Sequence, residues 1–281
     1  MQAFDFRLCL KTESMNIEPH DSGSVRGVAK TERRRLIRSL VESQSQGSVS
    51  DLARRFKVSE VTIRSDLAAL ADIGALVRIH GGALPPGESE ELPITVKQTL
   101  YHAEKVRIAA AAAGLIQDGE TVILDSGTTT AEIARQIRGL KLRAINVVTN
   151  ALNIAVLLAN AHHVNLIIPG GVLRRKSWSL SGPQAEQALG ELQADRLFLG
   201  VDSLDPEIGL MTPYVLEAKL NAMMIRIARQ TVAVTDSSKL LRRNLSVIAP
   251  VEQVHLLITD RAAAPDAVTA IRARGVEVRL V

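Results

Sequence analysis

"TVILDSGTTTAEIARQI", residues 121–137, decides how the larger part of this chain is read. Thr121 to Leu124 is an apolar, largely β-branched run of strand length, Asp125 to Gly127 makes a turn, and Ile133 and Ile137 recur at helical spacing beyond it. A strand that gives way to a helix through a glycine and several hydroxyl side chains gathers unpaired backbone N–H groups at the positive end of a helix dipole. Such a junction suits a phosphate or carboxylate, and it serves equally as an ordinary N-cap. The surrounding sequence has to weigh one against the other.

The same pattern repeats down the chain. "INVVT" leads to "ALNIAVLLAN", and "VNLIIP", "RLFLGVD", "TVAVTD", "VHLLITD" and "VEVRLV" follow with helical stretches among them. Runs of Val, Ile and Leu bounded by Gly, Asn or Asp, alternating with helices, indicate an α/β domain with a largely parallel sheet covered on both faces, over residues 99–281. Sheets of this kind bind ligands beyond the carboxyl ends of their strands. The residues expected there are Asp125, Ser126, Gly127, Thr128 and Thr129, then Thr149 and Asn150, then Gly170 and Gly171 with Lys176 close behind, then Asp202 and Asp205, and finally Lys239. Taken one by one, each of these has a bland reading as a cap, turn or solvated loop. Taken together at successive strand ends, they favour a site in which a phosphate lies on Gly127 to Thr129 with Lys239 opposite, while carboxylates accept hydrogen bonds from a small polyol.

The N-terminal part has a different character. Residues 26–80 carry 11 Lys or Arg against 6 Asp or Glu, whereas residues 81–281 carry 21 against 20, so the net charge of +4 is concentrated at one end. A local basic excess points that end at a polyanion. "TERRRLIRSLVES" places Leu36, Ile37, Leu40 and Val41 on one helical face, with Arg33, Arg34, Arg35 and Arg38 at its start and flank. Ser50 is expected to cap a short second helix, "DLARRF", and Ser59 a third, "EVTIRSDLAALADIG", which buries Ile63, Leu67 and Leu70. That spacing is a helix-turn-helix within residues 29–84. The third helix turns Val61, Ser65 and Ala68 outward with Thr62 and Arg64 on the flanks, a small face suited to a major groove. "ALVRIHGGAL" adds a wing strand that aims Arg78 and His80 at backbone or minor groove. With Arg33, Arg34, Ser50, Ser59 and Glu60, these residues make up the expected contact set for double-stranded DNA.

Between the two parts, "GGALPPGESEELP" lacks apolar periodicity and reads as a linker over residues 85–98, and residues 1–28 read as a disordered tail. The single cysteine, Cys9, cannot form an intrachain disulfide. The longest apolar run, Ile108 to Ile116, is about half of the roughly 20 residues that a membrane helix requires. A soluble, cytoplasmic protein is expected, with no metal, no cofactor and no membrane partner. The histidines lack the spacing of a zinc site.

"SVSDLARRFKVSEVTIRSDLAALADIGALVRIHGGAL" resembles the winged helix-turn-helix of the DeoR-type bacterial transcription regulators. "DGETVILDSGTTT", "VVTNALNIA", "PGGVLRRKSWSLSGPQAE", "LFLGVDSLD", "EAKLNAMM" and "TDSSK" resemble the sensor domain of the same family, which is similar to ribose-5-phosphate isomerase, glucosamine-6-phosphate deaminase and CoA-transferase folds. The resemblance implies operator binding relieved by a phosphorylated sugar, with a lean toward amino-sugar use such as that of N-acetylgalactosamine. It carries the ligand role to Asp125 to Thr129, Asn150, Gly170, Gly171, Asp202, Glu217 and Lys239, and Thr212 joins the expected effector-binding set. The chain departs from the pattern at Ser65, Ser203, Leu240 and Leu241. A homo-oligomer, dimer or tetramer, is expected because one small reading head covers too little sequence to select a genomic site. The alternative is a sugar-phosphate isomerase or deaminase with an accessory DNA-binding domain, against which stands the obstructing Ser203 and Leu204 in "DSLD".

Overall fold

The computed structural model describes residues 30–44, 47–72, 75–79, 81–84 and 94–281. The chain divides into two compact units, the division falling between Glu88 and Ser89. The expected tail, His80 and residues 85–93 of the expected linker lie outside the described residues.

The first unit runs α1 (Lys30–Gln44), β1 (Gly47–Ser48), α2 (Val49–Phe56), α3 (Glu60–Asp72), β2 (Val77–Ile79) and β3 (Gly82–Leu84). Ile37 and Val41 of α1, Leu52 of α2, Ile63, Leu67 and Leu70 of α3, and Leu76 form its buried core. These are the apolar positions that helical spacing selects, so the three helices pack as the sequence implies. Two details differ. Ser48, not Ser50, caps α2: its Oγ accepts the Asp51 N–H at 3.0 Å, while Ser50 sits exposed inside the helix. Ser48 also belongs to β1, which pairs antiparallel with β3 and completes a three-stranded sheet ordered β1-β3-β2. A two-residue strand leaves no periodic trace, and Gly47–Ser48 reads in sequence as a connection.

The second unit begins with α4 (Ile94–Thr99) and α5 (His102–Ala113), so the helical part of the unit starts inside the stretch expected to be linker. There follow β4 (Thr121–Leu124), α6 (Thr128–Ile137), β5 (Ile145–Thr149), α7 (Leu152–Leu158), β6 (Val164–Ile167), β7 (Val172–Arg174), β8 (Ser179–Ser181), α8 (Pro183–Gly190) and β9 (Ala194–Leu199). The chain continues with β10 (Ser203–Asp205), β11 (Gly209–Thr212), α9 (Val215–Ile227), β12 (Ala228–Val234), β13 (Ser246–Ala249), β14 (Leu256–Thr259), α10 (Pro265–Ala273) and β15 (Glu277–Leu280).

Seven strands form one sheet, ordered β15-β14-β12-β9-β4-β5-β6, and each neighbouring pair is parallel. They are the seven apolar runs of the sequence. Alternation along the strands divides the core in two. Val122, Leu124, Val147, Phe198 and Val232 face α5, α6 and α7, while Ile123, Val148, Leu197, Leu199 and Ala233 face α8, α9 and α10. Smaller antiparallel elements decorate the sheet: β7 with β8, and β10-β11-β13. From β4 the chain steps outward through β5 to β6 on one side, and on the other it fills β9, β12, β14 and β15. The order reverses between β4 and β9, which is where a ligand crevice forms in sheets of this type.

Candidate functional site

The first unit presents α3 as its reading element. Ser59 caps it, its Oγ accepting the Thr62 N–H at 3.2 Å. Val61 is 72% exposed, and Arg64 and Ser65 are exposed beside it, while Thr62 is half-buried with its hydroxyl 2.9 Å from that of Ser59. Arg64 pairs with Glu60 at 2.6 Å across one helical turn, both in solvent, a contact worth at most about 1 kcal/mol and easily exchanged for a nucleic-acid partner. Arg78 stands exposed on β2.

Arg33 and Arg34 do not join that surface. Their Nε atoms donate to the two oxygens of Asp66, at 2.6 Å and 2.8 Å, and Asp66 is buried between α1 and α3. Burial opposes the charge on Asp66, and the two guanidinium hydrogen bonds outweigh it, holding the carboxyl below its usual range. The arginines clamp the recognition helix to α1. Asp66 lies on the inward stripe with Ile63, Leu67 and Leu70, and an acid on an apolar stripe is the sequence signal for a buried cation opposite.

In the second unit a cavity of about 360 Å³ opens at the carboxyl ends of β4, β9 and β12. Asp125, Ser126, Gly127, Thr128, Thr129, Lys176, Asp202, Glu217 and Lys239 line it. Gly127 starts α6 with φ −78°, a conformation any residue adopts. Space rather than backbone demands glycine there, since a Cβ would meet Asp125 Oδ1 and Thr130 Oγ1 at 3.1 Å each. Asp125 Oδ1 accepts the Gly127 N–H at 3.0 Å. Burial pushes the Asp125 carboxyl up to about 7, against the pull of the Gly200 and Gly127 N–H groups.

In the same lining, Asp202 Oδ1 accepts Lys97 Nζ at 3.0 Å and Oδ2 accepts the Thr212 hydroxyl at 3.2 Å. Thr212 also approaches Glu217, whose other oxygen takes Arg174 Nη1 at 2.8 Å, and that guanidinium lies 3.9 Å over the Tyr214 ring. Burial, reinforced by the charge of Asp202, raises Glu217 to about 7. Asp202 itself is held below its usual range because Lys97 and Lys239 outweigh its burial. Lys105, on α5, donates to the Lys97 carbonyl at 2.6 Å. Burial, with Lys239 and Lys97 nearby, lowers it to about 8.

Other expected residues stand elsewhere. Thr149 Oγ1 accepts the Ala151 N–H, and Asn150 Nδ2 donates to the Leu180 carbonyl, both side chains buried and neither in the cavity lining. Gly170 and Gly171 both have positive φ ahead of β7, and a Cβ on Gly171 would lie 2.7 Å from the Ser181 carbonyl, so this glycine serves the chain path. Asp205 caps the β10–β11 turn by accepting the Glu207 and Ile208 N–H groups and pairs with Arg243. Lys97 and Lys105 escaped the sequence reading. Lys105 shares a helical stripe with Ile108, Ala109 and Ala112, and a lysine there marks a buried cation; Lys97 lay in a stretch without apolar period.

A reading head and a separate crevice of mixed charge are the two parts that a ligand-controlled regulator needs. Residues 33–87 match the DeoR-like helix-turn-helix domain and residues 101–261 the DeoR C terminal sensor domain. The chain belongs to the DeoR family. A putative aga operon transcriptional repressor of Escherichia coli O157:H7 is 43% identical over 263 residues, covering 92% of this chain and 97% of the relative. The HTH-type transcriptional regulator GlpR of Haloferax volcanii is 38% identical over 248 residues, covering 88% and 96%. The solved structure of ribose 5-phosphate isomerase A from Methanocaldococcus jannaschii aligns over 49% of this chain and 53% of its own, at 20% identity and a TM-score of 0.35. As a DeoR-family member the protein is a DNA-binding transcriptional regulator with a sensor domain, and not an enzyme. Among the described residues no helix is long and apolar enough to cross a membrane.

Proposed function

We propose that this DeoR-family protein represses a sugar-catabolic operon and is released from its operator by a phosphorylated sugar or amino sugar bound in the cavity at the head of β4 and β9. One observation carries the reading: the start of α6 opens into the same cavity as Lys105 and Lys239, and Asp202 and Glu217 line that cavity too. A phosphate takes N–H groups and hydroxyls at Thr128 and Thr129, the Gly127 N–H being held by Asp125, with ammonium groups beside it, and the carboxylates take sugar hydroxyls. A cavity of this volume suits a small metabolite. The name of the 43% identical relative, tied to the aga operon, supports the amino-sugar branch.

The exposed face of α3, centred on Val61, Arg64 and Ser65, reads the major groove, and Arg78 follows the backbone from the wing. The working form is a cytoplasmic homo-oligomer, dimer or tetramer, because two reading heads add their discrimination over two half-sites. Sedimentation of the free protein and of its operator complex checks this, and a monomer in both overturns it. The effector reading is tested by thermal shift against a panel of sugar phosphates and their unphosphorylated parents. Stabilisation by phosphorylated members alone, together with release of operator at the same concentrations, is the expected result. Equal shifts by the parent sugars would remove the phosphate from the assignment.

A further inference from the structure

Helix α4 is the first element of the sensor unit after the segment that leads from the DNA-binding unit. It has six residues, too few to hold helical form without tertiary support. Its anchors end on the cavity. Ile94 is buried in the lining, and its N–H donates to the Lys176 carbonyl at 2.8 Å. The Lys97 carbonyl accepts Lys105 Nζ at 2.6 Å, and Lys97 Nζ reaches Asp202 Oδ1 at 3.0 Å. Lys176, Lys105 and Asp202 all face the space assigned to the effector.

Several of the groups that hold α4, which also packs against α6, are therefore groups a sugar phosphate would claim. An anion draws the ammonium groups of Lys97 and Lys105 toward itself, and a polyol offers hydroxyl donors to Asp202. Both halves of the Lys97–Asp202 pair then have a replacement partner, which lowers the cost of separating them. Asp202 keeps the Thr212 hydroxyl throughout, so it is not left bare. A ligand shifts a conformational equilibrium only through contacts that differ between its states, and this exchange supplies such a difference.

We propose that α4 is a latch: the Lys97–Asp202 pair holds it against the sensor body in the DNA-binding state, and an effector that takes over either partner frees α4 and so loosens the operator. The inference rests on reading this cavity as the effector site. Its test needs no effector, so the two can fail separately.

The probe is a DNA fragment selected by the full wild-type chain from a random-sequence pool. In the absence of small molecules, Lys97→Gln and Asp202→Asn should each weaken binding to that fragment about tenfold, within the range of allosteric coupling. Lys97→Arg, which keeps the ion pair, should recover most of the loss. Lys219→Gln, at an exposed lysine that pairs with a part-buried Glu186 outside the cavity lining, should bind as wild type does. Amide exchange over residues 94–99 should accelerate about tenfold in the two weakened variants, while β4, β9 and β12 keep their protection and so report an intact fold. Wild-type affinity in both variants overturns the latch. So does weakened binding with unchanged exchange over residues 94–99, because the coupling would then run through another element. If no sugar phosphate releases the wild-type protein, the effector reading fails while these variants still answer for α4.

Discussion

Each unit buries an aspartate almost completely, and the two are treated in opposite ways. Asp66, in the DNA-binding unit, is 1% exposed and meets two guanidinium groups at 2.6 Å and 2.8 Å, so its charge is matched and its carboxyl is held low. Asp125, in the sensor unit, is 2% exposed and rests on backbone N–H groups, so burial prevails and its carboxyl rises to about 7. A matched buried charge locks two helices in one relation, which a reading head requires to keep register with bases. An unmatched one leaves a wall of the cavity responsive to whatever enters it.

The comparison is broken most sharply on the sensor side. Gly127→Asp places a carboxylate beside Asp125, in a space that a lone Cβ already crowds at 3.1 Å. The variant should still bind operator, since α3 belongs to the other unit, but release by sugar phosphate should be lost. A folded Gly127→Asp protein released at the wild-type effector concentration would reduce the opening turn to a helix cap.

On the head side, Asp66→Ala removes the carboxylate that a buried Arg33 and a partly buried Arg34 share. A loss of about 3 kcal/mol in the stability of that unit is expected, read by denaturant unfolding, because uncompensated buried charge is the costly half of such a pair. A change below about 1 kcal/mol would make the clamp an ordinary surface contact. Arg64→Ala, by contrast, should leave stability nearly untouched. It should weaken operator binding by about 1–3 kcal/mol if Arg64 meets a base, or reduce the salt slope by about one unit if it meets phosphate. Unchanged affinity and salt dependence would move the reading face away from Arg64.

The pH response separates the two aspartates. With its carboxyl raised in the folded sensor, Asp125 binds a proton there that the unfolded chain has released above about pH 4. Its contribution is therefore present in acid and is lost as pH rises toward 7, and Glu217 adds in the same direction. Lys105 has the opposite sign. Lowered to about 8, it penalises the folded state until pH climbs past that value toward its unfolded range, so the ligand-free sensor should be least stable between about pH 7 and 8. Asp66 runs the other way, its contribution present at neutral pH and lost in acid. Melting temperature against pH, for wild type and Asp125→Asn, should show a flatter decline from pH 5 to 7 in the variant. The smallest effect is expected of Thr129→Val, nearly isosteric at a buried position. Removal of one hydroxyl should raise the effector concentration for release by about fivefold, the equivalent of roughly 1 kcal/mol.

The seven strands of the large sheet were legible because a parallel strand buried on both faces must be an unbroken apolar run, and such runs stand out between polar turns. The apolar stripe of α3 was legible for a similar reason, through Ile63, Leu67 and Leu70. Strands β7, β8 and β10 are three residues long, and β8 and β10 mix serine with leucine, which is too short for a period of two to register. Ser48 and Ser50 are both capping residue types, and the pairing of β1 with β3 decided between them by starting the helix at Val49. Asp202, Thr212 and Glu217 were all candidates in sequence, whereas the hydrogen bonds that join them through Thr212 were not legible there.

By itself the sequence determined the two-part organisation, the helix-turn-helix, the parallel α/β sheet and the strand-end turn at Gly127, because each is written in local periodicity and in the residue type that ends it. Tertiary structure alone decided which polar groups converge. Arg33 and Arg34 turn inward to Asp66, 33 and 32 residues away, and Lys97 crosses 105 residues to reach Asp202. A charged side chain looks the same in sequence whether it faces solvent, a ligand or a buried partner, and only the packing of the apolar faces brings the partner to it.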